Sequence, residues 1–149
     1  LSENPLIKKL LLKPGQRILI LNAPEGYLEK LQPLPEGVAQ STEPSAEGNY
    51  DLVLSFFKNK AEVDSLAPTA ITAVKSGGLL WLCYPKRSGK VITDINRDSG
   101  WQTVREAGWE GVSLIAIDEV WSAMRYRPLS EIKITPGSSR LTRQKEQNG

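Results

Sequence analysis

Three compact apolar runs stand out against a mostly polar chain: Arg17-Ile18-Leu19-Ile20-Leu21, Asp51-Leu52-Val53-Leu54-Ser55-Phe56-Phe57 and Leu79-Leu80-Trp81-Leu82-Cys83-Tyr84. Each is too short for a helix and is apolar at successive rather than alternate positions. Such runs suit strands buried on both faces, as in a parallel sheet. Between them the spacing turns helical. Asn4-Pro5 reads as an N-cap and a first-turn proline opening a helix over Leu6–Leu12, which Lys13-Pro14-Gly15-Gln16 ends in a turn. Asn22, followed three residues later by Glu25, is a capping-box analogue and predicts a helix that starts at once.

A Pro/Gly-rich passage runs from Gln32 to Asn49, with a short strand expected within Gly37–Thr42. Asn59, with Glu62 at the third helical position, opens a further helix whose Val63, Leu66, Ala70, Ile71 and Val74 share one face. Pro68 is expected to kink or divide that helix, because it lacks an N–H and crowds the preceding turn. Gly77-Gly78 is expected to end it. Ser99-Gly100-Trp101-Gln102 predicts another helix reaching Ala107-Gly108. Gly111–Ile117 and Val120–Arg127 then form two strands close enough in sequence, across Asp118-Glu119, for an antiparallel hairpin. Strands alternating with helices imply an α/β, three-layer, Rossmann-like fold with a mostly parallel sheet, helices on both faces and a C-terminal antiparallel hairpin. Residues 1–128 form this domain, and 129–149 read as a polar, flexible tail.

Composition changes this picture mainly by exclusion. The chain has 149 residues, one domain's worth, and 40% are hydrophobic, enough for a core. It has no His and one Cys, which removes His-based triads, Cys-His dyads, zinc cages and disulfides from consideration. No metal site and no catalytic residue is assigned. A net charge of +2 gives no footing for nucleic acid or a membrane surface. Arg125 and Arg127 share a strand face with Trp121 and Ala123; an edge-strand surface explains this better than a nucleic-acid stripe. No apolar run spans a bilayer, no signal peptide is visible, and the lone Cys83 suits a reducing interior, so a cytoplasmic setting is expected.

In open parallel sheets, ligands lie beyond the carboxyl ends of the strands, at the switch in strand order. Four loops meet that description: Asn22–Gly26, Phe57–Lys60, Tyr84–Lys90 and the turn at Asp118-Glu119. The candidate ligand-binding residues are therefore Asn22, Glu25, Gly26, Lys58, Asn59, Tyr84, Lys86, Arg87 and Lys90. Lys58, Lys60, Lys86, Arg87 and Lys90 make one rim locally basic, which points to an anionic small molecule or an acidic protein partner. A nucleotide cradle of the dinucleotide or P-loop kind is disfavoured, because Pro24 offers no N–H and Glu25 puts a carboxylate at the helix start.

The segments LKPGQRILIL, YDLVLSFF, AVKSGGLLWL and VSLIAIDEVWSAMRYRP, in that order, resemble the class I S-adenosylmethionine-dependent methyltransferase fold across Leu12–Pro128. More closely, NAPEGY, GGLLWLCYPKRSGK, RDSGW and WSAMRYRP are similar to a small bacterial family known only as a domain of unknown function. The resemblance implies a fold, with S-adenosylmethionine as cofactor only if catalysis is retained. In that case Asn22, Glu25 and Gly26 meet the cofactor, and Tyr84 or Asp118 faces the acceptor.

The sequence departs from that family in three places. Asn22-Ala23-Pro24-Glu25-Gly26 stands where an acidic residue and a Gly-x-Gly turn are usual. Glu43 is the best substitute for the ribose-binding acid, and Leu21 to Asp51 is too short for a further strand and helix. The sheet is thus expected to be truncated on one side, with part of the adenosine wall lost. The leading expectation is a methyltransferase-like domain without catalysis that serves as a binding or regulatory module. A working small methyltransferase is the alternative. A homodimer or other structural role through the strand edge exposed by truncation is the third.

Overall fold

The computed structural model describes residues 4–44, 49–86 and 92–132. Its elements are α1 (Pro5–Leu10), β1 (Arg17–Leu21), α2 (Tyr27–Lys30), β2 (Ala39–Ser41), β3 (Tyr50–Phe56), α3 (Lys60–Ala73), β4 (Val74–Pro85), α4 (Gln102–Glu106), β5 (Trp109–Ala116) and β6 (Trp121–Pro128). One six-stranded sheet runs in the order β2-β1-β3-β4-β6-β5. The first four strands are parallel to their neighbours, and β6 and β5 close the sheet as an antiparallel hairpin. The fold is therefore the expected α/β Rossmann-like one. On its short side the sheet ends at the three-residue β2.

Successive apolar residues of each run point to opposite faces, so one run supplies two cores. Ile18 and Ile20 of β1, Leu52, Leu54 and Phe56 of β3, and Trp81 and Cys83 of β4 join Ile7 and Leu10 of α1 and Tyr27 of α2. Leu19, Val53, Leu80, Leu82 and Tyr84 face the other way, onto Val63, Ala67 and Ala70 of α3 and Trp101 and Val104 around α4. The Trp81 indole donates to the carbonyl of Leu10 at 3.0 Å. That bond satisfies two buried polar groups at once, the indole N–H and an orphan carbonyl at the end of α1. Cys83 is fully buried, and desolvation pushes its thiol well up, so it serves as a small core residue.

Four expectations need correction. Asn22 does not cap a helix: it sits in the left-handed region (φ 57°), and α2 starts only at Tyr27, after Gly26 at φ 81°. Its side chain is engaged across the sheet instead, as described below. Pro68 does not divide α3, which runs through it as one helix. Both Pro68 and Asp64, whose carbonyl loses its N–H partner, are exposed, so that carbonyl is open to solvent and the helix tolerates the proline. Gly77-Gly78 does not terminate α3, which ends at Ala73; the pair lies inside β4, beside a register shift opposite Tyr50 and Leu52. Ser99 does not cap α4, whose N-cap is Trp101 with no side-chain hydrogen bond. The polar tail begins as a 3-10 turn at Leu129–Glu131, tied by the Leu129 N–H to the Gly108 carbonyl, and its remainder, 133–149, lies outside the described residues.

Gly78 shows why a glycine belongs there. A Cβ would stand 2.9 Å from Val74 Cγ2 and 3.0 Å from the carbonyl oxygens of Asp51 and Lys75. Replacing Gly78 by Ala should cost about 2 kcal/mol of unfolding free energy, read from a urea titration, since backbone must move to accept the methyl. The neighbouring Asp51 carboxylate is held below the usual carboxylate range, first by its hydrogen bond with Lys75 and then by the Arg17 N–H at 2.8 Å. A lowered folded pKa contributes stability above the unfolded value of 3.8 and loses it as pH falls through the lowered one. Asp51→Asn should therefore be less stable than the wild type at pH 7, and the gap should close as pH falls below the unfolded value, in urea titrations run across that range.

Candidate functional site

The order β2-β1-β3 means that the chain leaves β1 toward one edge and returns on the other side of it. The switch crevice therefore lies between the carboxyl ends of β1 and β3, where the open-sheet rule puts a ligand. Here the chain's own groups span it. The Asn22 amide reaches across from β1 to the Phe56 carbonyl at 2.8 Å and to the Glu62 carboxylate at 3.1 Å. Glu62 accepts the Lys58 N–H at 2.6 Å, and the Asn59 side chain accepts the Glu62 N–H at 2.9 Å. The Lys60 N–H, also in the first turn, donates to Asp94 at 2.7 Å. A helix start is an anion site only while its N–H groups and dipole are open to a guest. At α3 the Lys60 and Glu62 N–H groups are engaged by Asp94 and Asn59, and the Glu62 carboxylate supplies the negative charge beside them.

This arrangement sorts the candidate residues predicted from sequence. Asn22 and Asn59 sit at the crevice and hold it together. Gly26 supplies the left-handed turn before α2, and Glu25 is exposed beside it. Lys58 is exposed on the β3 loop. Lys60 is matched by Asp64 at 2.7 Å, and Asp64 also accepts the Thr103 hydroxyl at 2.7 Å, so this stretch is less basic than the sequence suggests. Tyr84 and Lys86 lie apart from the crevice, at the end of β4. Arg87 and Lys90 lie outside the described residues.

Tyr84 and Lys86 line a hollow of about 450 Å³ together with Asn96, Arg97, Asp98, Ser99 and Ser122. Its floor is buried: Tyr84 is 5% and Ser122 8% exposed. Desolvation raises the Tyr84 pKa, with Asp98 acting in the same sense, and Arg97 and the hydrogen bond with Ser122 oppose it, so the phenol stays protonated and able to donate. The loop that forms the rim is ordered by its own bonds. Asn96 Oδ1 accepts the N–H groups of Asp98 (2.9 Å) and Ser99 (3.0 Å), an Asx turn. The Trp101 indole donates to the Asn96 carbonyl at 2.6 Å, and its ring stands edge-on to Tyr84 at 5.8 Å. Arg105 of α4 holds the Asp98 carbonyl at 3.2 Å.

Sequence reasoning missed Asn96, Arg97, Asp98, Ser99 and Ser122. The first four follow a long interval after β4 and carry no periodicity; the only signal was the Asn-x-Asp-Ser composition of an Asx turn. Ser122 was hidden inside a strand. Asp118 is not in this hollow. Burial pushes its pKa up, but Lys30 at 2.9 Å and the N–H groups of Trp121 and Val120 outweigh that and lower it, making it the staple of the β5–β6 turn.

No family model and no curated protein matches the chain. Among solved structures it is similar to a ribosomal protein L11 methylase from Lactobacillus delbrueckii subsp. bulgaricus, with a TM-score of 0.55, 10% identity, and 83% of this chain and 74% of that one covered. It is also similar to DhpI in its complex with SAH, with a TM-score of 0.51, 14% identity and 83% of each chain covered. These likenesses show the fold: a methyltransferase-like α/β domain.

The bonds across the crevice make Asn22 structural. Asn22→Ala should lower stability by about 2 kcal/mol, combining the lost hydrogen bonds with the strain of a left-handed alanine. Asn22→Gly should cost about half as much, and exposed Glu25→Gln should stay within about 0.5 kcal/mol. Chemical denaturation of the three variants checks the order.

Proposed function

We propose that this methyltransferase-like domain does not transfer methyl groups and acts as a binding module for a small anionic ligand. The observation that carries the reading is the bridging of the switch crevice by Asn22, Phe56 and Glu62. A cofactor seated there would have to displace these bonds and meet the Glu62 carboxylate. The residues present do not fit S-adenosylmethionine in that position, and β2, only three residues long, carries the sheet no further on that side. The hollow beside Tyr84 and Lys86 takes the ligand instead, with Lys86 and Arg97 as its cations.

The similarity to a protein solved with SAH favours a second reading, an active small methyltransferase in which Asn22, Glu25 and Gly26 meet the cofactor. It requires the Asn22 amide to leave Phe56. Titration with S-adenosylmethionine in a calorimeter separates the two. The expected result is no binding heat at up to about 1 mM, the weak end of the affinity scale. Micromolar binding, or transfer of a labelled methyl group to any acceptor, would replace the first reading with the second.

A further inference from the structure

We infer that the hollow beyond β4 and β6 is a phosphomonoester site, with Lys86 and Arg97 holding the phosphate and Asp98 reading a hydroxyl on the organic part. The inference deepens the binding-module reading and rests on it. The hollow is built rather than incidental. A buried tyrosine and serine form its floor, and an Asx turn, the Trp101 indole and Arg105 fix its rim at Asn96, Asp98 and Ser99. At about 450 Å³ it is at the small end of ligand pockets, which run from roughly 300 to 1,000 Å³.

Its chemistry narrows the class. Donors line it: the Lys86 ammonium, the Arg97 guanidinium, the Ser99 hydroxyl, and the one hydroxyl left free to donate by the hydrogen-bonded Tyr84–Ser122 pair. A flat carboxylate has two oxygens and one charge, and leaves part of that set unused. A phosphate monoester presents three terminal oxygens in a tetrahedron and carries close to two charges near neutral pH. That matches one ammonium, one planar fork and the hydroxyl donors. Asp98 would repel a bare anion placed anywhere in the hollow, so it calls for a donor on the same ligand. A hydroxylated carbon skeleton esterified to phosphate meets both demands, with its phosphate toward Lys86 and Arg97 and its hydroxyl toward Asp98. Tyr84, which lines the hollow, gives the carbon skeleton the edge of an aromatic ring.

The test titrates the full chain with inorganic phosphate, glycerol 1-phosphate and glycerol, by calorimetry and by amide chemical shifts. Glycerol 1-phosphate should bind at least about tenfold tighter than inorganic phosphate, and glycerol should not bind. Shifts should centre on Asn96–Ser99. Arg97→Ala and Lys86→Ala, both at solvent-accessible positions, should each weaken glycerol 1-phosphate about tenfold or more. Lys13→Ala, an equal change of charge before β1, should leave it unchanged. Asp98→Asn should leave inorganic phosphate at least as tight and shrink the advantage of the glycerol ester.

The inference falls if neither phosphate compound binds in the millimolar range, if shifts centre elsewhere, or if Lys13→Ala weakens binding as much as Arg97→Ala. Methyl transfer from S-adenosylmethionine would overturn the binding-module reading without touching the measured phosphate affinities. Absence of phosphate binding with no methyl transfer overturns the phosphomonoester assignment alone.

Discussion

The carboxylate of Glu62 accepts the main-chain N–H of Lys58 and shares the amide of Asn22 with the carbonyl of Phe56. Those bonds join the ends of the two central parallel strands to the first turn of the longest helix. A parallel sheet leaves carbonyls at its strand ends, and a helix leaves N–H groups at its start; both must be satisfied by something. Domains with this architecture ordinarily leave that duty partly to a guest, which is why ligands collect at the switch in strand order. This chain discharges it internally. Those bonds make the β1–β3–α3 junction a structural joint.

The outer half of the sheet holds the hollow beside Tyr84 and Lys86. The antiparallel return of β6 beside β4 brings Ser122 next to Tyr84, two residues far apart in the chain. A long excursion after β4 comes back to bury Trp101 between Tyr84, Phe57 and Tyr126. With that indole as an anchor, the preceding turn carries Arg97 and Asp98 over the end of the sheet. The hollow is thus a consequence of the aromatic packing of Trp101 against Tyr84 in the core.

The methyltransferase-like frame explains how so short a chain keeps two cores. Each buried strand contributes to both faces, α1 and α2 cover one, and α3 and α4 the other. The sheet ends at the short β2 on one side, yet the β1-β3-β4 centre stays covered on both faces.

Much of this was legible from the residues. Apolar runs without alternation identify β1, β3 and β4, since only strands covered on both faces bury successive side chains. Asn4-Pro5 and Asn59-x-x-Glu62 identify two helix starts, since those caps act within one turn. The interval between Leu21 and Asp51 foretold the short edge. What local pattern misread were groups whose partners lie far along the chain. Asn22 has the sequence of a cap, yet Phe56 and Glu62 compete for its amide and win. Gly77-Gly78 has the sequence of a helix end, yet the carbonyl of Asp51 across the strand pair is what excludes a Cβ there. The hollow of Tyr84, Arg97 and Ser122 exists only once β6 has paired with β4 and Trp101 has been buried. Hydrophobic periodicity and capping are short-range and can be read from neighbours, whereas the partner of a polar group at a strand end is decided by which strands the sheet places side by side.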